Sequence, residues 1–323
     1  MAVMIESFPA LPIAETETGA PRHCGVEIEF AGPTERETAD IVAGCFGGTI
    51  ENAGNHALIV RDTEYGDIFI ELDISLRKRE DVPLLNEGLD LFRGLIPVEL
   101  VTPPLSCEQL AGFDRICERL RAEGAIGSRK GVLHGFGVHL NPAVVGEDHP
   151  HTLRTIMAFG LLEPWLRALE EVNATRRVMP FVAPWPKAFV SDLAGMEPDT
   201  LAEIMRIAAR HIKSRNHSLD LLPLFKQAEP ALFDTLFGDT GKTSARPTFH
   251  FRLPDSRIDE PGWSLLQPWQ LWRQVEIVAA NVDLIAELRA AWKIHDATLF
   301  ERKAIWVDTV DHLLAAHGAK VEG

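Results

Sequence analysis

Basic residues are what this chain is short of: 32 Lys and Arg stand against 47 Asp and Glu in 323 residues, a formal net charge of -15. A field of that sign repels phosphate backbones and anionic headgroups, so neither nucleic acid nor anionic lipid is expected as a partner. Long apolar runs are missing too, none approaching the roughly 20 residues of a membrane helix, and no membrane partner is expected. The first twenty residues hold Glu6, Glu15 and Glu17 and neither Lys nor Arg, the opposite of a secretory leader. Cysteine is scarce, and Cys24, Cys45, Cys107 and Cys117 fall at no C-x-x-C spacing. That excludes a disulfide framework and points to a reducing, cytoplasmic setting. Absent as well are G-x-G-x-x-G, H-E-x-x-H and G-x-S-x-G. Gly241-Lys242-Thr243 imitates the end of a phosphate loop, but Leu236 stands where its first glycine belongs.

What is present is enough for a sizeable core: 46% of the chain is apolar. Residues 1–21, with Pro9, Pro12 and Pro21, are expected as a flexible N-terminal arm, and residues 22–323 as a single domain. Alternation predicts strands over His23–Ala31, His56–Arg61, Asp67–Ile74, Pro97–Thr102, Leu133–Leu140 and Pro247–Leu253, with a hairpin at 62–66. Helices are expected from Thr34, over Pro83–Phe92, from Ser106 with a Ser106/Gln109 capping box, and over Pro150–Val172 with a break at Pro164. Further helices follow from Thr200 with Glu203, over Leu219–Phe237, from Ser264, and finally to about His317. Runs of strands mixed with helices, without a β-α-β rhythm, give an α+β class: an antiparallel sheet with helices packed on one face.

The acids are unevenly placed. Residues 24–75 hold eleven acids and two bases, and so -9 of the net -15. In a strand, residues i and i+2 share a face about 6.8 Å apart. Glu27 with Glu29 and Glu71 with Asp73 therefore project in pairs opposite apolar faces. Glu99, His139, and His250 with Arg252 likewise lie opposite apolar residues of their own strands. Solvated strand faces normally mix Lys, Thr, Ser and Gln with acids, yet these strands contain no Lys. Gly135 and Gly137 leave bare backbone beside His139, where a ligand can lie flat. Crowded carboxylates repel unless cations sit among them, and oxygen ligands with one imidazole suit Mg2+ or Mn2+.

Four segments, Gly25-Val-Glu-Ile-Glu-Phe30, Val98-Glu-Leu-Val-Thr-Pro-Pro104, Gly137-Val-His-Leu-Asn141 and Phe249-His-Phe-Arg-Leu-Pro-Asp-Ser-Arg257, occur in an order that resembles the amidoligase family. That family groups with glutamine synthetase and glutamate-cysteine ligase among ATP-dependent carboxylate-amine ligases. The resemblance implies a glutamine synthetase or guanidino kinase-like catalytic fold and bound ATP with Mg2+ (or Mn2+). By resemblance Glu27, Glu29, Glu99 and His139 are metal candidates, Glu71 joining them from the strand reading, and Glu27, Glu99 and Arg252 are the catalytic ones. His139, Arg252, Arg257 and Lys130 are the nucleotide candidates. Many relatives carry H-x-H where this chain has His139-Leu-Asn141, so one imidazole is missing. Asp62, Glu71 and Asp73 rest on the strand reading alone.

The reaction so implied is amide formation through an acyl phosphate, with small-molecule or peptide carboxylates and amines as substrates. Divalent ions would offset charge on the transferring phosphoryl group. Arg129, Lys130, Arg176, Arg177 and Lys187 are loop candidates for binding phosphate or carboxylate. The alternatives are a guanidino kinase-type phosphotransferase and a non-catalytic scaffold, the latter drawing on Trp263, Trp269 and Trp272. Those three tryptophans read more simply as a buried helix stripe. A homo-oligomer is compatible with the sequence.

Overall fold

The alternation at His23–Ala31 produces strand β1 (Cys24–Phe30), whose Val26, Ile28 and Phe30 are fully buried. Around it, in a computed structural model describing residues 7–54, 56–72, 97–129, 135–170, 182–238, 243–298 and 303–321, lie five more strands. These are β2 (Thr49–Gly54), β3 (Ala57–Thr63), β4 (Gly66–Leu72), β5 (Val98–Val101) and β6 (Val138–Pro142). They form one fully antiparallel sheet of order β2-β3-β4-β5-β1-β6. The fold is α+β, as its patterning predicts.

Helix α1 (Glu35–Phe46) opens on the capping box Thr34/Glu37 and packs on β3 and β4. The helix expected from Ser106 has its Ser106/Gln109 capping box but divides into α2 (Cys107–Phe113) and α3 (Arg115–Ala122). The division falls at Asp114, whose carboxylate accepts the Leu265 amide at 2.6 Å. Helix α4 (Pro150–Leu169) runs straight through Pro164. An interior proline costs about 3 kcal/mol; burial of Leu161, Leu162, Trp165 and Leu166 on either side outweighs it. Helices α5 (Lys187–Gly195) and α6 (Leu201–His211) follow. The Thr200/Glu203 box does not form, because Asp148 takes the Leu201 amide and Glu203 the Asp199 amide.

Leu219–Phe237 is two short helices, α7 (Leu222–Ala228) and α8 (Pro230–Phe237), since Pro230 can start a helix but not continue one. Helix α9 (Leu266–Ala280) lies against α4 and β6 and buries Trp269 and Trp272, the stripe expected of the core. The final helical stretch is two helices, α10 (Val282–Asp296) and α11 (Lys303–Ala316). No helix among the described residues is long and apolar enough to cross a membrane.

One further expectation is corrected, at residues 247–253, and two segments show what alternation does not reveal. Strand β2, mostly exposed and polar, carries no apolar alternation and is held by pairing with β3. Residues 247–253 are not a regular strand; they reach β6 through isolated bridges Leu140–Phe251 and Ala143–Thr248, although Phe249, Phe251 and Leu253 are buried as their alternation predicts. The segment 7–21 contacts the core at a few points. Phe8 and Leu11 are buried, Trp269 donates to the Pro9 carbonyl, and Arg22 anchors the Ile13 carbonyl. The expected helix at Pro83–Phe92, with Asp73, Lys130, His134, Arg176, Arg177 and Gly241-Lys242, lies outside the described residues.

Candidate functional site

Register sets the site. Paired residues of an antiparallel sheet share a face, and β1, the neighbour of both β5 and β6, joins two rows on the face away from the core. In one row Glu71 of β4 pairs with Glu99 of β5, and Glu99 with Glu29 of β1. In the next, Phe69, Val101, Glu27 and His139 run across four strands. Three carboxylates thus stand side by side, where like charges directly opposite each other destabilise a sheet. Glu29 turns one oxygen to the Gly137 amide at 2.6 Å, so the bare backbone of that glycine is used by the cluster itself.

His139 is the hub. Its Nδ1 lies 2.8 Å from Glu27 Oε2 and 3.9 Å from Glu99 Oε1, while Nε2 faces Glu29 Oε1 at 3.8 Å. With Nδ1–H donating to Glu27, the lone pair of Nε2 points toward Glu29. A second chain of bonds fixes the far side. His250 Nδ1 donates to Asn141 Oδ1 at 2.7 Å, and Asn141 Nδ2 donates to Glu27 Oε1 at 2.9 Å. That assignment leaves His250 Nε2 as its lone-pair nitrogen, the arrangement by which a second-shell acceptor prepares a histidine for metal.

Burial pushes the His250 pKa well down, against the pull of Glu27, so its ring is neutral. For Glu27 burial works to raise the pKa, but the neighbouring imidazoles and the His139 and Asn141 hydrogen bonds overcome it and hold the carboxyl well below its usual range. Because His250 is neutral, the hydrogen bonds to His139 and Asn141 are the firmer cause. A carboxylate so strongly ionised is a weak proton acceptor and a ready cation ligand.

Two sets of donors lie close enough to share a cation: Glu27, His139 and His250, and Glu29, Glu99 and His139, each with ligand atoms within 4.8 Å of one another. Ligand atoms around Mg2+ or Mn2+ stand roughly 3.0 Å apart when adjacent and about 4.2 Å when opposite. The His139 Nε2–Glu29 separation of 3.8 Å falls within that span, and Glu99 completes a set of ligand atoms within 4.8 Å of one another, so the residues fit a divalent ion. Over residues 20–274 the chain matches the family model described as "Putative amidoligase enzyme". It belongs to the amidoligase family. No curated protein and no solved structure matches it.

Of the residues singled out by the sequence, the amidoligase sheet brings together Glu27, Glu29, Glu99 and His139. Glu71 extends the carboxylate row by one strand but joins neither donor set. Asp62 sits near the end of β3, at its register shift between Val60 and Thr63, with φ 56° and its amide donating to Asp67, away from that row. Arg252 lies beside His250 in the chain and directs its guanidinium to the Arg215 carbonyl at 2.9 Å. Arg257 is held by Glu260, Arg129 reaches Glu260 and the Glu170 carbonyl, and Lys187 pairs with Asp296. None of these three is placed in the cluster.

Sequence reasoning gave no site role to Asn141, His250, Arg215 and Arg246. With Glu27, Pro223, Ser244 and Thr248 they line a cleft of about 120 Å³. Arg246 reaches Glu27 Oε1 at 3.5 Å, and Arg215 binds the buried Asp220 at 2.9 Å. The signal for His250 was available: it alternates with Phe249 and Phe251 and shares a face with Arg252. Arg215 and Arg246 come from irregular segments, where no periodicity marks direction.

Proposed function

We propose that this chain is an ATP-dependent carboxylate-amine ligase, building an amide through an acyl phosphate on a glutamine synthetase-like sheet face. The observation that carries the reading is the Glu71–Glu99–Glu29 row beside the Glu27–His139–His250 group, a negative surface with lone-pair nitrogens directed into it. Glu29, Glu99 and His139 Nε2 would hold one divalent ion and Glu27 with His250 another, the His139 Nδ1–H orienting the Glu27 carboxylate; the metal would offset charge on the ATP β and γ phosphates. Such a site approaches phosphate despite the net charge of -15.

In the reaction a substrate carboxylate oxygen takes the γ-phosphoryl group and ADP departs. The amine then attacks the acyl carbon, a C–N bond forms, and inorganic phosphate leaves as the nitrogen loses a proton. Arg215 and Arg246, in the cleft that includes Glu27, supply positive charge for a phosphate or carboxylate oxygen. Arg252, held by the Arg215 carbonyl, adds charge from behind. No nucleophilic Ser or Cys is required.

The test is ADP release in Mg2+ or Mn2+ from pools of carboxylates and amines, with mass analysis of products. ADP release requiring both substrate classes, an amide product, and loss of both in a folded Glu27→Gln variant support the reading. A phosphorylated acceptor without amide, or a protein blind to ATP and metal, overturns it.

A further inference from the structure

A second cavity, of about 470 Å³, opens in the helical layer, away from the carboxylate row, between α4, α5, α10 and the start of α11. That volume lies in the range of small-molecule sites, about 300–1,000 Å³. Part of its wall lies beyond the segment that matches the family model: Trp292 and Trp306 follow residue 274 and close the cavity against Gly160, Trp185 and Val190. The aromatic rings are held in place by the protein itself. Trp292 meets Trp306 edge-on at 4.8 Å, and Trp185 packs edge-on to Phe159 and Phe189 at 4.9 and 5.0 Å. All three indole N–H groups are committed: to the Leu219 carbonyl at 2.9 Å, to Ser191 Oγ at 3.1 Å and to the Leu161 carbonyl at 2.9 Å. Such rings offer a ligand only faces and edges, and contact with them is apolar and π in character. Gly160 keeps the wall thin: a Cβ there would stand 3.2 Å from the Trp185 ring.

The charged lining is paired off within the protein. Arg167 binds Glu163 at 2.9 Å, Lys187 binds Asp296 at 2.6 Å, and Lys303 is not a free cation either. Buried Glu163 also accepts from the Trp185 amide at 2.8 Å and from the Ser218 hydroxyl. A charged ligand would have to break one of these pairs to gain a counter-ion, and it would lose its own hydration on entering. An uncharged ring breaks nothing and gains the burial of its faces against indole.

We infer that this cavity binds a small, uncharged aromatic molecule of two or three rings. The site is separate from the ligase cluster and does not depend on that assignment.

Phenylnaphthylamine, which is uncharged, tests this on the full chain, with anilinonaphthalene sulfonate as its anionic counterpart. The neutral probe binds saturably at about one per chain and quenches tryptophan emission by energy transfer, while the sulfonate binds about fivefold or more weakly. Val190→Phe puts a ring into the space the probe would occupy, and Trp292→Leu removes an aromatic wall; each weakens the neutral probe by about fivefold or more. Trp292→Leu carries this arm if the larger side chain at position 190 prevents folding. Ile294 and Ile305 are exposed in a different groove, between α10 and α11. The Ile294→Ser, Ile305→Ser double variant leaves the neutral probe within about twofold. Non-saturating binding, a sulfonate held as tightly as the neutral probe, an unchanged affinity in the folded cavity variants, or loss of binding in the Ile294/Ile305 variant would each overturn the assignment.

Discussion

Glu29 of β1 and Glu99 of β5 face each other directly across the sheet, and His139 lies within 4 Å of both. Opposed carboxylates cost a sheet roughly 0.2–1 kcal/mol relative to neutral pairs. That cost at the centre of the sheet would be offset if the same pair gripped a cation, as the proposed function requires. In EDTA, Glu99→Gln is therefore expected to raise the melting temperature by about 1–3 °C. In excess Mn2+ the order reverses, since the parent chain gains more stability from binding than the variant, which keeps only the Glu27–His139–His250 set. A variant that melts lower than the parent in EDTA would mean the pair is not repulsive, and the cation argument would lose its basis.

His139 belongs to both donor sets, whereas His250 and Glu29 each belong to one. Calorimetric titration with Mn2+ should resolve this division. His250→Ala and Glu29→Gln are each expected to weaken one of two binding events by about 10-fold or more, and His139→Ala to weaken both. A single event equally affected by all three variants would merge the two sets into one site.

How far the sequence leads is plain from these same residues. Glu27, Glu29, Glu99 and His139 are legible because strand alternation fixes which face a side chain takes, and those strands pair in the central sheet. What alternation cannot supply is register. Glu71 has the right face but pairs one strand too far out, and only the hydrogen-bond ladder reveals it. Arg257 stands apart from the row for another reason: it follows Leu253 in a loop, where Glu260, three residues on, pairs with the guanidinium. Local pairing of that kind competes with any long-range role and leaves no periodic trace.

In the N-terminal segment proline and glutamate suggest solvent, while Phe8 and Leu11 are isolated apolar positions that the structure buries. Phe8 packs 6.4 Å from the Trp269 ring, at 2% exposure. Phe8→Ala is expected to cost about 3 kcal/mol, read as a lower urea midpoint with unchanged m-value. A loss below about 0.5 kcal/mol would return this segment to the status of a loose arm.

A buried ionic knot lies on the opposite side of the sheet from the carboxylate row. Arg22 meets both oxygens of Glu276, at 2.6 and 3.1 Å, and His151 and Trp272 donate to the same carboxylate at 2.6 and 3.1 Å. Burial opposes the charge on Glu276, but the hydrogen bond from His151 and the charge and hydrogen bonds of Arg22 prevail, and its pKa lies below the ordinary value of about 4.5. Below that value the unfolded chain takes up the proton first, so stability falls as the medium is acidified through this range and is fully present above it. Glu27 is depressed in the same direction and acts with the same sign. Glu276→Gln leaves the Arg22 charge buried without its counter-ion and is expected to cost about 3–5 kcal/mol at pH 7. It should also flatten the decline in unfolding free energy between pH 5 and about pH 3, as Glu27→Gln should to its own extent. Urea denaturation across that range checks both, and an acid limb equally steep in parent and variants would show that neither carboxylate is held ionised by the fold.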